Sequence, residues 1–167
     1  MLVRDAHEGD LEALLALYVQ LSAGNASTTV EAARPGLQAL LADERVRLLV
    51  AEDEGRVVGT ATLVVVPNLT HDGQPWAQVE NVVVEDSLRG TGVGRLVMDE
   101  CVRLAWAAGC YKVQLQSADH REGAHRFYEG MGFKASSLGF RLYRGGPHPL
   151  APSPDFAGEG EVVTPEG

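Results

Sequence analysis

The chain is short of cysteine, of positive charge and of long apolar runs, and each shortage excludes something. Among its 167 residues only two are cysteines, Cys101 and Cys110, and neither sits in a CxxC pair or beside a His/Cys cluster. That spacing argues against a zinc site and predicts no metal. Two isolated thiols fit a reduced, cytosolic protein. Lysine and arginine together number 14 against 23 aspartates and glutamates, a net charge of −9. So acidic a surface is a poor partner for nucleic acid, and a cationic small molecule or basic peptide matches it better. The longest apolar stretches, such as Leu63 to Val66, are far too short to cross a bilayer, so no membrane span is expected. The opening Met1-Leu2-Val3-Arg4-Asp5 lacks the charged-then-apolar pattern of a leader. What the chain does have is 45% hydrophobic residues, enough for one globular domain with a full core.

The hydrophobic pattern alternates between strand and helix periods. Leu2 to Arg4 reads as a first strand. Asp10 is placed to cap a helix with Leu11, Leu14, Leu15 and Tyr18 on one face. A second helix is predicted from about Val30 to Ala42, disturbed by Pro35-Gly36. Strands are predicted at Val46 to Ala51, Arg56 to Val66 and Ala77 to Val84, with a tight turn at Asp53-Glu54-Gly55 and a polar loop from Pro67 to Pro75. A long helix then carries Val97, Cys101, Leu104, Ala105 and Ala108 as one stripe, ending at Gly109. Tyr111 to Gln116 alternates as a strand with unlike faces. Ala124, Phe127, Tyr128 and Met131 share one face of a last helix ended by Gly132. Phe133 onward and Leu138 to Tyr143 are expected to supply a final pair of strands. The order is that of an α/β fold with a mixed sheet, spanning residues 1–144. The Pro-, Gly- and acid-rich segment 145–167 is expected to be a disordered tail.

The segment with the most chemistry is Arg89-Gly90-Thr91-Gly92-Val93-Gly94-Arg95. A strand runs into it and a long helix leaves it. Glycines remove side chains that would block a ligand's approach. The helix start offers unpaired N–H groups and the positive end of its dipole. With Arg89 and Arg95 flanking, the segment suits a pyrophosphate. A P-loop would need Lys-Ser/Thr after the last glycine, where this chain has Arg95-Leu96. A dinucleotide loop, G-x-G-x-x-G/A, fails from Gly90 and from Gly92 alike, because the sixth positions are Arg95 and Val97.

Arg89-x-x-Gly92-x-Gly94 resembles the coenzyme A pyrophosphate motif R/Q-x-x-G-x-G/A of the GNAT acetyltransferase superfamily. Ala124-His125-Arg126-Phe127-Tyr128-Glu129-Gly130-Met131-Gly132-Phe133 resembles that superfamily's second signature, A-x-x-F-Y-x-x-x-G-F. One helix and one strand separate them, as in the family, and the likeness extends over roughly residues 2 to 143. Val79 to Val84 and Gly109 to Lys112 are also similar to segments of glucosamine-6-phosphate and aminoalkylphosphonate acetyltransferases, though such short likenesses recur across the superfamily. The resemblance implies a GNAT fold: a central mixed, largely antiparallel, twisted sheet of six to seven strands flanked by about four helices. It implies acetyl-CoA as co-substrate and a primary amine, on a small molecule or a peptide, as acceptor. Self-association, as a homodimer, is plausible for the class.

The same resemblance assigns residues. Gly90, Thr91, Gly92, Val93 and Gly94, with Arg89 and Arg95, face the pyrophosphate. The backbone of Val82, Val83 and Val84 pairs with the pantetheine arm as an added strand would. Ala124 lies at the start of the last helix. Three residues before it many members carry an Asn; here it is Arg121, which either contacts coenzyme phosphates or faces solvent.

Acetyl transfer needs an amine stripped of its proton, a stabilised oxyanion and a protonated leaving thiolate. Glu80, on the strand just before the glycine loop, where the resemblance implies a carboxylate, is the candidate base. A Lys-like amine has a reference pKa of about 10.4 against about 4.3 for Glu, so a water relay or a site that shifts these values must bridge the gap. Tyr128 is the candidate acid. Its reference pKa of about 10 against about 8.5 for a thiol makes the donation modest. His7, His71, His120, His125 and His148 read as solvated polar residues, His71 in a loop able to cover the acceptor site. Nothing near Cys101 or Cys110 suggests an activated thiol, so direct transfer in a ternary complex is expected rather than an acetyl-cysteine. A non-catalytic acetyl-CoA sensor or scaffold would keep the glycine loop without needing Glu80 or Tyr128; the presence of both favours the enzyme. O-acetylation, or a longer acyl donor, stays open.

Overall fold

The computed structural model describes residues 1–21 and 28–140. Met1–Ala135 form one compact unit and Ser136–Gly167 a second; every element below belongs to the first. In chain order these are β1 (Leu2–Asp5), α1 (Leu11–Leu21), α2 (Val30–Ala42), β2 (Val46–Asp53), β3 (Arg56–Val66), β4 (Trp76–Val84), α3 (Val93–Ala107), β5 (Val113–Leu115) and α4 (Glu122–Gly130). Short 3-10 turns precede α1, β4 and α3.

The five strands form one sheet in the order β1-β2-β3-β4-β5. The first four are antiparallel neighbours, and β5 alone runs parallel to β4. The final pair of strands does not form over Phe133–Phe140, and residues 141–143 lie outside the described residues, as does the expected tail 145–167. That accounts for five strands among the described residues where six to seven are expected. β5 is also shorter than its alternation, but Ala77 N–H donates to Lys112 O and Tyr111 N–H to Pro75 O, each at 2.9 Å, so the backbones stay joined upstream of its first rung.

Strand alternation sends side chains to two cores, one on each sheet face. Leu49, Ala51, Ala61, Leu63, Ala77 and Val79 meet Val97, Met98, Cys101 and Ala105 of α3. Leu48 and Val50 face the other way and meet Leu11 and Leu14 of α1 and Leu37 of α2. Thr60 and Thr62 of β3 lie on this second face, since their register partners are Val50 and Leu48.

Two local expectations are corrected. Asp10 does not cap α1. Its Oδ2 accepts from His7 N–H (2.8 Å), closing a capping box on the turn Glu8–Asp10, whose other bond is Gly9 N–H to His7 Nδ1 (3.1 Å). The reason is Arg4: its Nη1 and Nη2 fork onto the buried Asp10 carboxylate at 2.8 and 3.0 Å and fix its direction. Pro35, expected to disturb the second helix, lies inside a continuous α2. A Thr29 cap, accepting from Ala32 N–H at 3.2 Å, and the packing of Val30, Ala33, Leu37 and Leu40 against the second core outweigh the lost N–H.

Candidate active site

The site begins where β4 and β5 part. Their shared rungs are Ala77↔Val113, Gln78↔Gln114 and Val79↔Leu115, and there pairing ends. β4 continues five residues further, Glu80 to Val84, and among the described residues its ladder there is with β3 alone. Its other edge is therefore available to an extended ligand, as a missing strand would be.

That stretch is also out of phase with the strand before it. β3 advances two residues, Thr60 to Thr62, while β4 advances three, Val83 to Glu80, so β4 holds one extra residue. The bulge falls beside Asn81, whose φ of 54° is left-handed. A one-residue slip exchanges the faces. Before it, Gln78 and Glu80 face α1 while Ala77 and Val79 face α3. After it, Val82 and Val84 pack toward the α3 core, and Val83 shares the α1 face with its partner Thr60. No sequence period reveals such a shift.

β4 then delivers the chain to the glycine loop. Gly90 and Gly92 take φ of 78° and 97°, a region that costs any residue with a Cβ about 1–2 kcal/mol. Thr91 Oγ1 donates to Leu88 O (2.6 Å) and steadies the turn. Gly92 is the N-cap of α3 and has no side chain to cap it. The first bond inside the helix is Leu96 N–H to Gly92 O (3.1 Å), so the N–H groups of Val93, Gly94 and Arg95 precede the helical ladder. The Val93 side chain is buried in the core, so only its backbone can serve a ligand. Arg89 and Arg95 are exposed beside them, paired with Asp86 (2.5 Å) and Asp99 (3.7 Å). A cation-flanked, uncapped helix start of this kind fits a pyrophosphate.

The second signature forms α4. Arg121 is its N-cap position, Ala124 lies in its first turn, and Phe127 and Tyr128 pack against the α3 core. The Tyr128 ring meets Phe127 at 5.2 Å and Phe133 edge-on at 6.1 Å. Burial pushes its phenol above the ordinary range; the Arg121 charge opposes this and the Glu80 charge adds to it. Glu80 and Tyr128 stand on opposite faces of the sheet, Glu80 on the α1 face with its register partner Thr62 and Tyr128 against the α3 core.

On the α1 face, Glu80 belongs to a polar patch. Gln114 Nε2 donates to Gln78 Oε1 (3.0 Å), and Gln78 Nε2 donates to Glu80 Oε1 (2.7 Å). Thr62, the register partner of Glu80, has a buried hydroxyl with the Tyr18 phenol of α1 nearby but outside good hydrogen-bonding geometry. Two residues past the last rung of β5, where no register fixes its face, Ser117 carries another buried hydroxyl without a partner among the described residues. Gln78, Gln114 and Thr62 carry no sequence motif; only pairing register brings them together around Glu80.

His71 stacks on Tyr111 with centroids 3.8 Å apart and planes at 11°, at the end of β4 opposite the glycine loop. The His125 ring contacts Ala118 O at 3.0 Å, and His7 caps the first turn. His148 lies outside the described residues. Burial pushes the Cys101 thiol up to about 12 and raises that of Cys110.

Comparison with known proteins agrees with this architecture. A family model described as the acetyltransferase (GNAT) family matches residues 12–133. The glucosamine 6-phosphate N-acetyltransferase of Trypanosoma brucei brucei is 35% identical over 84% of this chain and 93% of its own length. The aminoalkylphosphonate N-acetyltransferase of Salmonella typhimurium is 30% identical over 83% of this chain and 88% of its own. A solved Agrobacterium tumefaciens structure superposes with a TM-score of 0.83 at 39% identity, covering 86% of this chain and all of the other. Both motifs, the strand and helix between them and the parting of β4 from β5 thus have one explanation: the chain belongs to the GNAT family of acetyltransferases.

Proposed function

We propose that this acetyltransferase moves an acetyl group from acetyl-CoA to the primary amine of a small molecule, by direct attack in a ternary complex. Acetyl-CoA supplies the acyl group, activated as a thioester. The backbone N–H groups of Val93, Gly94 and Arg95, the glycines before them and the guanidinium groups of Arg89 and Arg95 hold the pyrophosphate. Arg121 and Ala124 flank it at the start of α4. The free edge of Val82–Val84 pairs with the pantetheine arm. Glu80, exposed on the α1 face, takes the ammonium proton directly or through water. Tyr128, on the other face, returns a proton to the departing sulfur. The observation that carries this reading is geometric: among the described residues the β4 edge is left unpaired by β5 beyond Val79, and it runs into the uncapped start of α3 flanked by Arg89 and Arg95.

The two relatives supply a class of acceptor to try first. Glucosamine 6-phosphate and the aminoalkylphosphonates are small primary amines that also carry a phosphorus oxyanion. The net charge of −9 favours a second class, amines with further positive charge. Calorimetric titration with acetyl-CoA, followed by thiol release from an amine panel holding both classes, tests the reading. Binding plus release with one class supports it and selects the acceptor. Absence of acetyl-CoA binding overturns it, and binding without release from any amine leaves a coenzyme-binding module. Light scattering on the purified protein reads the expected homodimer.

A further inference from the structure

Gln78 and Gln114 are direct register partners on the second shared rung of β4 and β5. Their side chains lie on the α1 face, since Ala77, Val79, Val113 and Leu115 on either side of them belong to the α3 core. The two amides are bonded in a definite sense. Gln114 Nε2 donates to Gln78 Oε1 across the half-buried rung (3.0 Å), which occupies the acceptor end of Gln78 and turns its NH₂ along the strand. There it donates to Glu80 Oε1 at 2.7 Å, a short, charge-assisted bond.

Chemistry sets this direction. An ionised carboxylate only accepts, so the group beside it must donate. Turning the Gln78 amide over would place its oxygen against the Glu80 carboxylate and its NH₂ against the NH₂ of Gln114. Reach also matters. Residues two apart on a strand share a face about 6.6 Å apart along the chain, and two long side chains are needed to close that span. The bulge at Asn81 follows directly, so Glu80 stands on the last regular residue before the backbone changes phase. An exposed glutamate there has nothing else among the described residues to fix its rotamer.

We propose that Gln114 and Gln78 form a two-amide relay that aims the Glu80 carboxylate. Gln78 is a positioning residue for acetyl transfer, and Gln114 positions Gln78. One carboxylate oxygen is held by the relay and Oε2 is presented to the amine or its bridging water. The proposal rests on the reading of Glu80 as the base.

The test is a double-mutant cycle on the full chain, with glucosamine 6-phosphate first among the acceptors and thiol release as the readout. Gln78→Leu keeps the volume and removes the donor. It is expected to lower kcat by about tenfold to a hundredfold, the scale of a misaimed catalytic group, with acetyl-CoA affinity by calorimetry unchanged. Gln78→Asn is too short to reach Glu80 and should lose nearly as much. Gln114→Leu frees the amide to turn over and should lose less. In a Glu80→Gln background neither further change should matter, because nothing is left to aim. Equal fold-losses in both backgrounds would mean a structural role and overturn the relay. Wild-type kcat in both Gln78→Leu and Gln78→Asn would overturn it as well. Full activity of Glu80→Gln alone would instead overturn the base assignment on which the relay rests. Melting temperatures identify any variant that fails to fold, and the Gln78→Asn and Gln114→Leu pair carries the test if Gln78→Leu does not.

Discussion

A Cβ added to Gly94 would lie 3.6 Å from Phe127 Cζ and 3.4 Å from Val84 Cγ2. The last glycine of the loop is thus the point at which α3, α4 and β4 converge, and it ties the proposed pyrophosphate site to the residue before Tyr128. These are ordinary contact distances, so Gly94→Ala should fold and bind acetyl-CoA as the wild type does. Gly94→Leu has no such room. It should displace Phe127, carry Tyr128 with it and lower kcat, as steady-state thiol release would show. The same Gly94→Leu protein with unchanged kcat would mean that α4 is not positioned through this contact.

Gly92 answers to a different constraint. Nothing lies within 4 Å of its would-be Cβ, but its φ is +97°. Gly92→Ala should therefore cost about 1–2 kcal/mol through backbone strain alone, read as a lowered melting temperature. Gly92→Glu adds a negative charge at the uncapped start of α3 and should abolish acetyl-CoA binding in a calorimetric titration. Unchanged affinity would remove the pyrophosphate assignment.

Tyr128→Phe removes one hydroxyl from a packed ring. Turnover should fall by about 10²–10⁴, the usual weight of a general acid, with acetyl-CoA affinity nearly unchanged. Burial raises the phenol pKa, so the proton-bearing form persists to higher pH than for a free tyrosine. The wild-type rate should hold on the alkaline side until above about pH 10. A rate that declines well below that pH would place the acid on another group.

How far the sequence alone reaches can be read from particular residues. The bounds of α2 and β3, Val30–Ala42 and Arg56–Val66, follow from local periodicity, which packing then obeys. The glycine loop and the α4 signature are legible because their chemistry is written in adjacent residues. Non-local register is not. The extra residue of β4 near Asn81, the rung Gln78↔Gln114 and the pairing of Thr62 with Glu80 depend on which strands meet and where they slip. The role of Asp10 is hidden for the same reason: its partner Arg4 lies on another element, and only folding brings the fork to the carboxylate.

That Arg4–Asp10 pair makes stability depend on pH. Burial alone would raise the Asp10 pKa, but the Arg4 bonds, the His7 N–H and the Arg4 charge together hold it below the ordinary carboxylate value. A depressed folded-state pKa means that the stabilisation is present above the unfolded value, about 3.9, and is lost as pH falls through the folded one. Asp10→Asn should therefore cost about 2 kcal/mol at pH 7, and the gap to wild type should close in denaturant titrations carried below about pH 4. A gap independent of pH would show that shape, not charge, is what Asp10 contributes.

Cys101 distinguishes the two routes that a thioester allows. Its side chain is fully buried between α3 and the sheet, and burial pushes its thiol up to about 12. Near neutral pH the thiolate, the only form that attacks a thioester, is therefore scarce. Cys110 is also buried and its pKa is also raised. A disulfide reagent should therefore react slowly with the native protein and should titrate two thiols at once after denaturation. Cys101→Ala should lower the melting temperature, because it opens a small cavity beside Val97 and Met98, while kcat stays at the wild-type value. An acetyl-cysteine route demands the opposite: loss of all turnover in Cys101→Ala or Cys110→Ala, and a burst of thiol release before any acceptor is added.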